Sequence, residues 1–409
     1  MTGGVRSGLV SAARRFRAAW PEPMRRATTP VLNLALETYV RRVGREAHGA
    51  EGVSGPIRLI GYFQASHGIG ASARLAERAF RALGVETVRH DVTDARLGWE
   101  GRLTGPTAAG AWIAYLNPPE LISALACLGP KHLVGPRYGY WAWELPRAPA
   151  QWLKDAALVD EVWAPSRYTA EALAGDAAPV RVVPHPLFLE DYAGVVPAPR
   201  RAAFHGVAVF DFNSSLARKN PRGAIAAWAE AFGDDADCEL TLKTQNGSLF
   251  PPDLAALRAA APANVRIVDQ AWPYADIKSL IAGADVLVSL HRAEGFGLTP
   301  AEALALGTPV VATAWSGVLD FLDESCALLV PSTPTPVADP QGIYRGQSWA
   351  EPDIAAAAAA LMRLRSEPGL GRRLAEAGRA RVAERLSPQA WFATLPETVQ
   401  AAALKSKAG

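Results

Sequence analysis

The sequence predicts an α/β protein made of two doubly wound halves, each a parallel sheet flanked by helices. Three observations carry this. The chain has 409 residues, enough for two domains of ordinary size. From Ile57 onward, short apolar runs alternate with amphipathic stretches, and this series breaks at the Pro-rich stretch Pro184–Pro199 before starting again. With 49% hydrophobic and 20% charged residues, the composition excludes a disordered, collagenous or disulfide-scaffold chain. Lys and Arg number 42 against 40 Asp and Glu, a net of +2, so no broad basic field is available for a nucleic-acid backbone. Cys127, Cys238 and Cys326 lie far apart without C-x-x-C spacing, which suggests neither a zinc site nor a disulfide framework and fits a cytoplasmic protein.

Residues 1–56 form a basic N-terminal extension. Its first 50 residues hold nine Arg against three acids, a local excess of +6. It lacks the apolar core of a signal peptide, and no run of about 18 apolar residues occurs in the chain. Pro30–Val43 sets Val31, Leu32, Leu34, Ala35, Tyr39 and Val43 at loosely helical spacing beside Arg41 and Arg42. That pattern suits either a helix packed on a domain or an interfacial helix on anionic lipid.

Strands are expected at Ile57–Phe63, Ala111–Leu116, Tyr138–Trp143, Glu161–Ala164 and Val180–Val183, forming a first domain over 57–190. A second domain over 200–385 is expected from Val207–Phe210, Glu239–Lys243, Val265–Val268, Val286–Leu290, Val310–Ala312 and Ala327–Val330. The Ala-rich stretch Ile354–Leu404 reads as two or three helices, the last over 386–409.

The segment Val286–Val311 carries the most chemistry. A buried strand runs into Glu294-Gly295-Phe296-Gly297-Leu298, then a helix closed by Gly307. Thr299, Pro300 and Glu302 have the spacing of an N-cap, a first helical residue and a capping box. Two glycines beside a helix N-terminus let backbone N–H groups approach a phosphate. Glu294, at the carboxyl end of a strand, is suited to accept hydrogen bonds from hydroxyls of the same ligand. A phosphate plus hydroxyls describes a nucleotide sugar.

The frame E-G-F-G-L-x-x-x-E-A-L-A-x-G-x-P-V-V resembles the donor-site signature of retaining GT-B glycosyltransferases of family 4, in a bacterial subgroup linked to surface polysaccharide. The resemblance covers about 57–390 and implies two Rossmann-like domains facing a cleft, with the final helix crossing back to the first. It also implies that Glu294 holds donor-sugar hydroxyls, that Gly295, Phe296, Gly297 and Leu298 hold the diphosphate, and that Glu302 holds the ribose. The family's Arg and, five residues on, Lys map to Ser214 and Lys219; the arginine is absent, and Arg218 stands where it can serve the same charge. Lys243 is a weaker third cation. Gly68 and Gly70 match the family's Gly-x-Gly loop, with Arg74 one turn into the next helix facing the acceptor side.

Read without the family, Gly68-x-Gly70-x-x-Ala73 with Asp91 resembles a dinucleotide fingerprint, but about five residues separate strand and first glycine. A nicotinamide-dependent dehydrogenase and a GT-B sugar-nucleotide epimerase are the alternatives. Strand alternation across Tyr140–Glu144 puts Trp141 and Trp143 on one face and Glu144, an acceptor-side candidate, on the other. Ser166 reads as a helix cap and His185 as a hinge residue. The expected reaction moves a hexose from a nucleoside diphosphate sugar to a hydroxyl of a glycan or lipid-linked glycan, with retention. No cofactor or metal is expected, since no Asp-x-Asp pair sits beside the diphosphate turn. The expected partners are that donor, that acceptor and, through the basic extension, the inner face of an anionic membrane; nucleic acid is not among them.

Overall fold

The computed structural model describes residues 34, 36–43, 55–65, 68–95, 99–200, 202–338 and 344–408. Residues 1–33, most of the basic extension, and His67 in the glycine loop lie outside them.

The first sheet holds six parallel strands: β1 (Ile57–Gly61), β2 (Thr87–Asp91), β3 (Trp112–Tyr115), β4 (Arg137–Tyr140), β5 (Glu161–Ala164) and β6 (Val180–Val182), in the order β2-β1-β3-β4-β5-β6. The second also holds six: β7 (Phe204–Val209), β8 (Cys238–Thr244), β9 (Val265–Asp269), β10 (Val286–Ser289), β11 (Val310–Thr313) and β12 (Leu328–Val330), ordered β12-β11-β10-β7-β8-β9. Each sheet is covered on both faces, so the central strands read as continuous Val, Ile and Leu runs, as in Val286–Ser289 and Val310–Thr313. The two sheets are the GT-B arrangement.

Three elements depart from the sequence expectation. β2 is an edge strand, Thr-Val-Arg-His-Asp, and having one neighbour it tolerates polar residues that hid it. β4 stops at Tyr140, so alternation does not extend to the tryptophans. Trp141 is buried in the core of the first domain, while Trp143 packs with Tyr344 and Trp349 between the domains; both meet Trp152 edge-on. The third is an antiparallel hairpin of β13 (Ser332–Pro336) and β14 (Ser348–Pro352), whose prolines read as loop.

The helix over residues 36–43 buries Val40 completely, with Leu36 beside it, in the core of the first domain, and Arg41 pairs with Asp155. This favours the domain-packing reading of that stretch. The helices Pro388–Ala393 and Glu397–Ala408 pack on the first domain as well: Trp391, Leu395, Val399, Ala402 and Ala403 join its core, and Trp391 meets Phe80 edge-on at 5.0 Å.

Candidate active site

In the second sheet β7 and β10 are neighbours while their following strands lie on opposite sides, so a crevice opens at their carboxyl ends. Both charged segments singled out in the sequence leave the sheet there. After β7, the short helix Leu216–Lys219 ends at Asn220, whose side chain accepts from Gly223 N (3.2 Å) and donates to Leu290 O at the end of β10 (2.9 Å). Asn220 and the flanking Ser215 have φ of +51° and +66°. With Ser316 at +70°, three of the four non-glycine residues of positive φ among the described residues surround this crevice. Such strain, held by surrounding bonds, concentrates where geometry is functional.

Glu294 accepts from Lys219 Nζ on Oε1 and from Arg218 Nη1 on Oε2 (3.2 Å). Burial works to raise its pKa, but Lys219, then Arg218 and His291, overcome this and hold it at about 2. It is therefore a carboxylate at any working pH. Burial depresses the Lys219 ammonium, against the pull of Glu294. Arg218 is more firmly pinned: it donates to Ala293 O (2.9 Å) and Ser214 O (3.0 Å), and its Nη2 lies 3.9 Å from Glu144 Oε1 of the first domain. Hence Ser214, at the family's arginine position, anchors Arg218 through its carbonyl, and Arg218 is a buried strut while Lys219 is the cation that lines the crevice.

Gly297 caps the helix Leu298–Leu306 in the left-handed region, φ +95°, where a Cβ would stand 2.5 Å from Val318 Cγ1. The helix thus starts one residue ahead of Thr299, and the expected Thr299 cap and Glu302 capping box do not form. Gly307 does close it, at φ +79°. The helix N-terminus borders a cavity of about 40 Å³ lined by Lys219, His291, Glu294, Gly297, Leu298 and Thr299, roughly three water-sized spheres. Anions are favoured there by the free N–H groups and the dipole. Glu302, freed from capping, accepts from the Tyr274 hydroxyl. Burial drives its carboxyl up to about 7, against Tyr274 and Lys278.

The first domain meets this turn directly. Ser166 caps its helix, accepting from Thr169 N (3.2 Å), and also donates to Gly295 O (2.6 Å), as does Thr169 (3.2 Å). His185 packs edge-on against Phe296 at 4.7 Å and tilted against Tyr140 at 5.5 Å, joining the interdomain segment to the donor turn. Glu144 is half-buried, within reach of Arg218 and 3.4 Å from Tyr344 Oη. The hairpin holds this loop: Gln347 bonds the backbone N and O of Arg147 (3.1 and 2.8 Å), and Arg147 donates to Gly346 O (2.9 Å).

The structure therefore brings Glu294, Arg218, Lys219 and Glu144 into one cluster, with Gly295, Phe296, Gly297 and Leu298 beside it. The other candidates are held by local partners. Lys243 is buried against Thr244 O (2.9 Å) and Gln270 O (2.5 Å), with its ammonium over Trp272. Arg74 donates to Phe63 O (3.1 Å) and Ala65 O (2.6 Å), tying down the glycine loop. Gly68 opens the helix Gly68–Ala82, and Gly70 is required there because a Cβ would lie 2.6 Å from Tyr62 O. Tyr274, Tyr344 and Gln347 had no signal in the sequence, since their partners lie 28 to 200 residues away. Among the described residues no group of three or more His, Cys, Asp or Glu could hold a metal ion.

Fold and crevice together define the class: a GT-B protein with its charged cluster at the switch point of the second sheet. Within that class, residues 211–340 match the family of Glycosyl transferases group 1. By sequence, no curated protein matches the chain. Among solved structures, it is similar to TarM of S. aureus (TM-score 0.51, 12% identity, 70% of this chain and 54% of that one), crystallised with fondaparinux, alpha-GlcNAc-glycerol and UDP. It is also similar to HepE of Anabaena in complex with UDP and glucose (0.59, 13%, 86% and 99%) and to sucrose-phosphate synthase from Thermosynechococcus elongatus (0.59, 18%, 86% and 98%). The chain spans little more than half the length of TarM.

Proposed function

We propose that the protein transfers a hexose from a nucleoside diphosphate sugar to a hydroxyl of a glycan or lipid-linked glycan, with retention of configuration. The observation that carries this reading is Glu294 at the switch point, paired with Lys219 and Arg218 and followed by a glycine turn into a helix N-terminus. A permanently ionised carboxylate beside an anion-binding turn suits a ligand with hydroxyls at one end and phosphates at the other. The group 1 match over 211–340, and neighbours crystallised with UDP and a sugar, support it. Lys219 and the helix N-terminus offset the charge that grows on the leaving diphosphate, and its phosphate oxygen takes the acceptor proton. Glu144, which links the first domain to Arg218, faces the acceptor. With the leaving-group charge met by these groups, turnover is expected to persist in EDTA.

The experiment is a thermal-shift panel of UDP-, GDP- and ADP-sugars, followed by NMR of the product's anomeric configuration; a ligand that binds only the folded state raises the melting temperature. No shift with any of them overturns the reading. The +6 excess of residues 1–50 further supports peripheral attachment to anionic bilayers at the cytoplasmic face. Because Leu36 and Val40 are used by the first domain, the contact falls to residues 1–33. Equal co-sedimentation of full-length and 34–409 protein, which keeps the packed helix over 36–43, with anionic liposomes would sink it.

A further inference from the structure

Glu302 and Glu294 are held in opposite ways. Glu294 is locked by two cations, whereas Glu302 has no ion-pair partner among the described residues and accepts from one neutral donor, the Tyr274 hydroxyl. Glu302 sits four residues beyond the start of the helix that faces the anion cavity, about 6 Å along its axis, on the scale that separates a diphosphate from its ribose. A carboxylate satisfied by a hydroxyl alone is matched to hydroxyls. Tyr274 is the first residue of its helix and is 50% exposed, so its ring can turn outward without opening the core. The Lys278 ammonium lies 5.5 Å from the ring centroids of both Tyr274 and Tyr192 and is itself held by Asp191 O at 2.8 Å. The Tyr274 hydroxyl also interacts with Tyr192, but of this group the Tyr274 ring is the one with half its surface open to solvent.

We propose that Tyr274 guards the ribose subsite: its hydroxyl occupies Glu302 in the empty protein and gives that carboxylate up to a ribose hydroxyl when a nucleotide binds. This rests on the nucleotide-sugar reading above. Every nucleotide must then compete with an internal hydroxyl, and a ligand lacking ribose need not. A net hydrogen bond of about 1 kcal/mol corresponds to roughly fivefold in affinity.

The test is calorimetric titration of full-length wild type and Tyr274→Phe with UDP, GDP, ADP and inorganic pyrophosphate at pH 8.5, where Glu302 is ionised. Removing the hydroxyl while keeping the ring should tighten binding of the recognised nucleotide about fivefold and leave pyrophosphate unchanged. Nucleotide binding to the variant that equals or falls below wild type overturns the guard while leaving the nucleotide reading intact, as does a gain that pyrophosphate shares. If neither protein binds any of the three nucleotides, the nucleotide reading fails and takes this inference with it.

Discussion

Lys219 and Glu294, 75 residues apart in sequence, form an ion pair across the crevice between the ends of β7 and β10. The pair sets the charge of the site: the carboxylate stays ionised and the ammonium is kept in place for an incoming diphosphate. Exchanging Glu294 for Gln removes the counter-charge of two buried cations. We expect a lower melting temperature, tighter binding of nucleoside diphosphate because the cations are freed, and turnover reduced by about 10²–10³. Thermal denaturation with and without UDP or GDP, alongside a transfer assay, separates the three.

Arg218 and Lys219 should behave differently although they are adjacent. Arg218→Ala strips hydrogen bonds from Ala293 O and Ser214 O and leaves Glu294 and Glu144 short of a partner, so a loss of about 3–5 kcal/mol in stability is expected. Lys219→Ala should keep most of the stability while losing about 10²–10³ in turnover with saturating donor. Urea denaturation and steady-state kinetics on both variants give the comparison; wild-type turnover in Lys219→Ala would remove the diphosphate from this loop.

Nucleotide affinity should depend on pH through Glu302. Its folded-state pKa is raised to about 7, so the protein holds a proton there that the unfolded chain releases near pH 4.5. Stability from this group is complete below pH 4.5 and is lost as pH rises through 7. Ribose binding runs the other way, since the carboxylate is the better acceptor, and strengthens between pH 6 and 8. The phosphate of the ligand titrates in the same range, so the difference between wild type and Glu302→Gln isolates the protein's share. Parallel pH curves for the two would discard it.

Gly317 sits at a close contact between the domains that has no room for a side chain. A Cβ there would stand 2.1 Å from Gly295 O and 2.9 Å from Ser166 Oγ, the atoms that latch the first domain to the donor turn. Gly317→Ala should cost about 1–3 kcal/mol and raise the donor KM, while Gly105→Ala, with open space around it, should do neither. Melting curves and initial rates on this pair are the check.

Much of the fold was legible because buried parallel strands leave short, Val- and Ile-rich apolar runs bounded by turn residues, and the E-G-F-G turn stood out by its glycines. What stayed hidden had long-range causes. The capping box failed because Gly297, in contact with Val318, starts the helix early, and Glu302 then finds Tyr274 on a neighbouring helix. The β13–β14 hairpin was invisible because its prolines suppress strand propensity, and it is held by distant partners, Trp143, Arg147 and Arg292. Arg218 read as a cation placed to serve the diphosphate; its burial as a strut depends on the carbonyls of Ala293 and Ser214, which only the fold brings to it.

The packing of Trp391, Leu395 and Val399 into the first domain has a consequence for synthesis. The ribosome produces residues 57–190 first, yet the apolar wall that completes their core is encoded after the whole second domain. Domains usually fold as they emerge, at about 5–20 residues per second. Here the nascent first half must wait some tens of seconds with part of its interior uncovered, and it becomes native only once the last helices have left the exit tunnel. Premature termination before Pro388 would therefore injure the domain farthest from the lesion along the chain.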